Sequence, residues 1–189
     1  MSNYLMYDNV GVVLFEVKHG RPMDRDAVDT ILDQWNRERP DLDVSSMGIL
    51  GRLARASRLA SLDVQKFMNQ FGLEPWEFDV LATLRRSAAE APLTPGQLAS
   101  LTMIGSAAMT NRVDRLVNRG LIHRETNPEN RRQLLVSLTP EGLALVDEVV
   151  EHHVENQQKM LDGLSRTEQA QLADLLRKFL LANNDGAPS

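Results

Sequence analysis

The residues whose types and spacing could do chemistry lie in one run, 105–132, GSAAMTNRVDRLVNRGLIHRETNPENRR. It holds six arginines (112, 115, 119, 124, 131 and 132) against Asp114, Glu125 and Glu129, six less three, or +3. The whole chain carries −5, so everything outside the run carries −8. A compact positive island on an acidic chain is the footprint of a polyanion-binding face. A solvated helix followed by a surface hairpin would carry the same charge, so charge alone leaves both open. Met109, Val113, Leu116 and Val117 recur at i, i+4, i+7 and i+8, one core-facing helical stripe. The opposite face carries Ala107, Ala108, Asn111, Asp114, Arg115 and Asn118. Two alanines there permit close approach, and Asn and Arg offer two-pronged hydrogen bonds to base edges. Arg112 and Arg119 share the strip between the two faces.

The elements that must position this run can be read on either side of it. Asp24 to Arg39 predicts a first helix with Val28, Ile31, Leu32 and Trp35 on one stripe, ended by Pro40. A long helix is expected from Ser45 to Gln70, stopped by Gly72. Pro75 suits the first position of the next, which carries Trp76, Val80, Leu81 and Leu84 to Ser87. Thr94-Pro95-Gly96-Gln97 has capping-box spacing and opens a short helix over 95–101. A turn through Met103–Gly105 then leads into the arginine-bearing helix, the order of a helix-turn-helix. After Gly120, Leu121–Thr126 and Gln133–Leu138 alternate as strands around NPENRR, making the unit a winged helix. Thr139-Pro140-Glu141 restarts helix for roughly 25 residues, through Leu161 and Leu164. Ser165 and Glu168 form a second capping box, opening a last helix with Leu172, Leu175, Leu176, Phe179 and Leu180.

The fold class expected is therefore mainly α with a small β wing: a winged helix-turn-helix flanked by long dimerisation helices. The boundaries are 1–22 for an N-terminal extension, 23–181 for the domain, and 182–189 for a flexible tail. Within the domain, 24–71 are N-terminal helices for pocket and dimerisation, 73–139 the winged unit, and 140–181 C-terminal dimerisation helices. The outer helices carry apolar stripes that one small domain could not cover, which implies pairing with a second copy and a roughly palindromic DNA site. Residues 1–22 fit none of this; Val10–Val17 could be a strand, a mobile arm, or translation upstream of a true start at Met23.

Composition narrows the chemistry. A chain of 189 residues, 42% hydrophobic and 25% charged, has ordinary globular proportions. A pI near 5.4 argues against a general nucleic-acid coat but not against a local reading face. The absence of cysteine excludes disulfides, thiolate metal sites and thiol redox sensing. No apolar run approaches the ~20 residues that span a bilayer, and the N-terminus lacks a secretory signal, so a cytoplasmic location is expected. His152-His153 invites a metal reading, but adjacent helical residues point about 100° apart, so a solvated or dimer-lining face is expected instead. Gly48-x-x-Gly51 has the spacing of an RNA-clamping loop but sits in an apolar helix without basic neighbours. With no phosphate-cradling loop, HExxH or nucleophile elbow, neither an enzyme nor a cofactor is expected.

The order of elements resembles the MarR family of bacterial transcription regulators over residues 24–180. The strings that carry the resemblance are EFDVLATLRR (77–86), LTPGQLA (93–99), TNRVDRLVNRGLIHRE (110–125) and NPENRR…VSLTPEG (127–142). One departure stands in the wing, where the family's Asp-x-Arg is replaced by Asn130-Arg131-Arg132. Loss of that carboxylate removes an ionic brace, and a floppier wing is expected. WNRERPDLD (35–43), with FDVLATLRR, is further similar to the PecS-type, urate-responsive branch.

The resemblance implies a homodimeric repressor of double-stranded DNA. Ser106, Thr110, Asn111, Arg115 and Arg119 would contact DNA from the recognition helix, and Arg131 and Arg132 from the wing. It also implies release by urate or a similar anionic aromatic ligand at Trp35, Asp79, Arg112 and Arg124, a ring to stack on and guanidinium groups to pair with the anion. Each has a plainer account: apolar packing for Trp35, a structural salt bridge for Asp79 and Arg112, a phosphate contact for Arg124. The alternatives are a regulator answering a phenolic or other metabolite, or a winged-helix protein-interaction module without DNA binding.

Overall fold

The computed structural model describes residues 25–88, 92–102 and 109–186. The N-terminal extension 1–22 and the start at Met23 lie outside these residues. The chain forms two compact units, Met1–Ser57 and Arg58–Ser189, divided within the second helix.

In the first unit, α1 (Ala27–Glu38) starts three residues later than the sequence suggests. Asp26 sets the boundary: its carboxylate accepts the Val28 and Asp29 N–H groups at 2.7 and 3.1 Å, and Asp29 accepts the Asp26 N–H at 2.7 Å. Arg52 of α2 (Ser45–Asn69) donates to both carboxylates, at 2.9 and 2.7 Å, adding a cation to the acidic helix start. Gly48 and Gly51 lie against Leu32 and Val28, which gives them a packing role in place of a nucleic-acid clamp. Ile31 and Trp35 of the same stripe remain substantially exposed.

In the second unit, α2 ends as expected: Gly72 takes φ +64°, and the Leu73 N–H returns to the Met68 carbonyl at 3.1 Å. There follow α3 (Pro75–Arg86), α4 (Pro95–Leu101) and α5 (Met109–Asn118). The Thr94 box forms as read, with Gln97 N–H on Thr94 Oγ1 at 3.2 Å and Thr94 N–H on Gln97 Oε1 at 2.9 Å. Met109, Val113 and Leu116 are buried, joining Val80, Leu81, Leu84, Leu98, Val136, Val146 and Val149 in one core. The strands β1 (Ile122–Thr126) and β2 (Leu134–Leu138) pair antiparallel, with Ile122 opposite Leu138 and Thr126 opposite Leu134. Leu93 also joins this sheet, which no local pattern indicates: it exchanges backbone hydrogen bonds with Val136 at 3.1 and 2.8 Å. That bridge ties the entry of α4 to the base of the wing.

The α6 helix (Pro140–Met160) is capped by Thr139 and stops before Leu161, short of the run to Leu164 that periodicity suggested. Residues 161–164 instead form the turn into α7 (Arg166–Ala182), and Gln169 Nε2 donates to the Leu161 and Leu164 carbonyls. Apolar spacing alone cannot see this end, because Leu161 and Leu164 continue the helical period through a reversal. The capping box at Ser165 and Glu168 is present. No residue of α7 is buried, and Leu172, Leu175, Leu176, Phe179 and Leu180 form an exposed apolar face. No described helix is long and apolar enough to cross a membrane.

Candidate nucleic-acid interface

Helix α5 buries one face and shows solvent the other. Thr110, Asn111, Arg115 and Asn118 are exposed, opposite Met109, Val113 and Leu116. Ser106, Ala107 and Ala108 lie outside the described residues, so Ser106 stays a sequence expectation.

The six arginines divide by partner. Arg115 makes no ion pair among the described residues; its guanidinium lies over the Trp76 ring, 4.8 Å from the centroid. Arg112 approaches the same ring at 5.6 Å. Arg112 is half-buried, and its Nη1 is one of two buried side-chain nitrogens with no hydrogen-bond partner among the described residues. Arg131 and Arg132, at the wing tip, are exposed and make no ion pair there.

Arg119 and Arg124 have partners within the unit. Arg119 Nη1 donates to Glu77 Oε2 at 2.7 Å and Nη2 to the Gly72 carbonyl at 3.1 Å. Glu77 is 2% exposed and also accepts the Glu74 N–H at 2.9 Å. Arg119, expected at the DNA surface, therefore braces the end of α5 against the start of α3. The signal was present: Glu77 shares a stripe with Val80, Leu81 and Leu84, and a carboxylate in register with a core needs a cation. Arg119→Ala leaves that carboxylate buried without its cation. Because Arg119 is itself partly exposed, the expected loss is about 2 kcal/mol of unfolding free energy, measured by urea denaturation. An unchanged stability would return Arg119 to the DNA surface.

Arg124 pairs with Asp114 of α5. Period two places Arg124, itself exposed, on the same β1 face as Ile122, which turns it toward α5. Asp79, Arg112 and Arg124 thus belong to α3, α5 and β1 of the second unit, whereas Trp35 belongs to α1 of the first.

The wing loop keeps part of the order its missing carboxylate would give. Asn130 Oδ1 accepts the Arg132 N–H at 3.2 Å, Asn127 Oδ1 accepts the Glu129 N–H at 2.9 Å, and Asn127 and Gln133 are joined through backbone and side chain. An amide oxygen replaces the carboxylate as acceptor, without its charge.

His153 departs from the solvated or dimer-lining face expected of it. Its ring sits 5.0 Å from Phe78 and 5.7 Å from Phe67, and burial there holds its pKa below the ordinary histidine value, opposed by Asp63. His152 is exposed, stacks on Phe71 and faces Glu155 at 3.8 Å. Among the described residues no cluster of metal-ligating side chains forms.

A family model of the MarR family matches residues 71–133, which contain α3, α4, α5 and most of the wing. The HTH-type transcriptional regulator PecS of Dickeya dadantii is 41% identical over 149 residues, covering 79% of this chain and 90% of that protein. The solved structure of an E. coli MarR variant complexed with operator DNA superposes with a TM-score of 0.62 at 27% identity, covering 77% of this chain and 97% of that one. Bordetella bronchiseptica BpsR, solved in a study of how 6-hydroxynicotinic acid regulates its DNA binding, superposes with a TM-score of 0.61 at 30% identity, covering 68% of this chain and 90% of that one. The chain belongs to the MarR family.

Proposed function

We propose that the protein is a cytoplasmic, homodimeric repressor that binds a palindromic operator through α5 and the wing and is released by a small aromatic anion, urate or a close analogue. The observation that carries the DNA reading is the division of the arginines. Arg115, Arg131 and Arg132 are exposed without ion-pair partners among the described residues, beside the uncharged donors Thr110 and Asn111, while Arg119 and Arg124 are held by acids. Free cations and bidentate donors on one helix and an adjoining loop suit phosphate and base-edge contacts. The relative complexed with operator DNA supports the same use of the fold. The exposed face of α7 supports a second copy as its cover, since six large apolar residues on one helix otherwise face water.

The anion is proposed from Arg112. A half-buried guanidinium with an unpaired nitrogen gains from a negatively charged acceptor. Asp79 on α3 and Arg124 on β1, in the same unit, complete the proposed set. A relative regulated by 6-hydroxynicotinic acid, an aromatic carboxylic acid, supports an effector of this class. Isothermal titration of urate into wild type and Arg112→Gln tests it: binding to wild type that is lost in Arg112→Gln is expected, and equal binding by both removes the assignment.

The wing carries its own prediction. Arg132→Ala is expected to weaken binding on every sequence and to reduce the slope of log affinity against log salt by roughly one. Fluorescence anisotropy over a salt series reads this directly. An unchanged slope means the wing does not meet a phosphate.

A further inference from the structure

Two cations share one indole. Trp76 leaves α3 one residue after its opening proline, and Arg112 and Arg115, one helical turn apart on α5, both lie over its ring. Of the pair, Arg115 is nearer and exposed, while Arg112 is half-buried with one nitrogen unpaired among the described residues. A guanidinium held over an aromatic ring by cation–π attraction spends none of its N–H donors on a hydrogen-bond acceptor. Stacking on Trp76 therefore fixes the approach of Arg115 without consuming the donors that a guanine edge would take. In the sequence Trp76 reads only as a core residue, on the stripe with Val80 and Leu84.

We propose that Trp76 is the positioning residue of the DNA-reading face, and that through its ring an anion on Arg112 reaches Arg115. The second half rests on the effector reading above; the first rests on DNA reading alone. The physical step is an exchange of partners. An anion paired with the free nitrogen of Arg112 draws that guanidinium from the ring and lowers its effective charge. The indole, partly buried against the core, and Arg115, which shares its ring, then resettle together. Arg115 leaves the posture in which it meets a base, and specific affinity falls while phosphate contacts from the wing persist.

The test uses the full chain and a duplex selected by the wild-type protein from a random library. Affinities for that duplex and for a scrambled one are measured for wild type, Trp76→Leu, Trp76→Phe, Arg115→Ala and the Trp76→Leu/Arg115→Ala double variant. Trp76→Leu is expected to weaken the selected duplex about five- to thirtyfold and the scrambled one less than about twofold. The double variant is expected to match Arg115→Ala within about twofold, since each change disables the same contact. Trp76→Phe, which keeps an aromatic face, should recover most of the loss; equal losses on both duplexes, or losses that multiply in the double variant, overturn the positioning role. Urate then tests the coupling: it should weaken operator binding by wild type at least threefold more than by Trp76→Leu, with urate affinity within about threefold in the two. Equal release from both overturns the coupling. Urate that fails to bind wild type overturns the effector reading and the coupling with it, while the DNA cycle still decides the positioning role. A wild-type chain that selects no duplex overturns both halves together with the repressor reading.

Discussion

Arg115→Ala is expected to lower affinity for the operator by about 10- to 100-fold while changing non-specific affinity by no more than about threefold. The magnitude follows from what is lost: one bidentate base contact discriminates by about 1–3 kcal/mol. The asymmetry follows from where the charge sits. Arg115 is one cation of several on the face, so its removal costs a small part of the sequence-independent electrostatic attraction, which Arg131 and Arg132 continue to supply. Its stacking on Trp76 adds specificity, because a side chain held in one posture loses less entropy on meeting a base. Competition anisotropy with selected and scrambled duplexes at one salt concentration reads both quantities. Equal losses on the two would place Arg115 on a phosphate.

Gly142→Ala is expected to lower unfolding free energy by about 3 kcal/mol and to weaken DNA binding through the wing. A methyl group built there lies 1.9 Å from the Leu121 carbonyl oxygen and 2.9 Å from its carbon, both backbone atoms that cannot swing aside. The Gly142 N–H also completes the cap of α6, donating to Thr139 Oγ1 at 2.9 Å, while that hydroxyl donates to the Gly120 carbonyl at 2.8 Å. Making room for the methyl pushes α6 away from the root of β1 and breaks this chain of hydrogen bonds. The wing then loses its fixed angle to α5, since Thr139 N–H on the Leu121 carbonyl, at 3.1 Å, joins the end of the sheet to its beginning. Urea denaturation gives the first quantity and anisotropy the second. A loss under about 1 kcal/mol would mean that the helix end shifts freely, contrary to the packing described.

Much of this architecture is legible in local sequence, for a physical reason. Caps, glycine stops and apolar stripes are set by residues within one or two turns of one another. The boundaries at Gly72, Pro75, Thr94 and Ser165 accordingly fall where the residues place them. Local signals mislead where two of them compete. Leu161 and Leu164 keep the helical period across a turn, and α1 starts after its Asp26 cap, three residues beyond the expected start.

Partnerships between elements were harder to read. That Arg119 meets Glu77, Arg124 meets Asp114, and Leu93 pairs with Val136 depends on how α3, α5 and the sheet pack, which no window of neighbouring residues contains. Sequence shows an arginine's helical position; its partner belongs to the packing. The same distinction sorts the proposed DNA contacts, since a surface cation with no partner and one held by a buried carboxylate look alike in sequence.

The most direct measurement of the central claim is sequence preference. The purified chain is presented with a random duplex library, and the affinity of the selected duplex is compared with that of its scrambled counterpart at fixed near-physiological salt, then titrated with urate. The account predicts a palindromic consensus, a preference of at least about 1,000-fold, and a fall in that preference as urate is added. Enrichment of no consensus, with equal affinity for selected and scrambled duplexes, would contradict it.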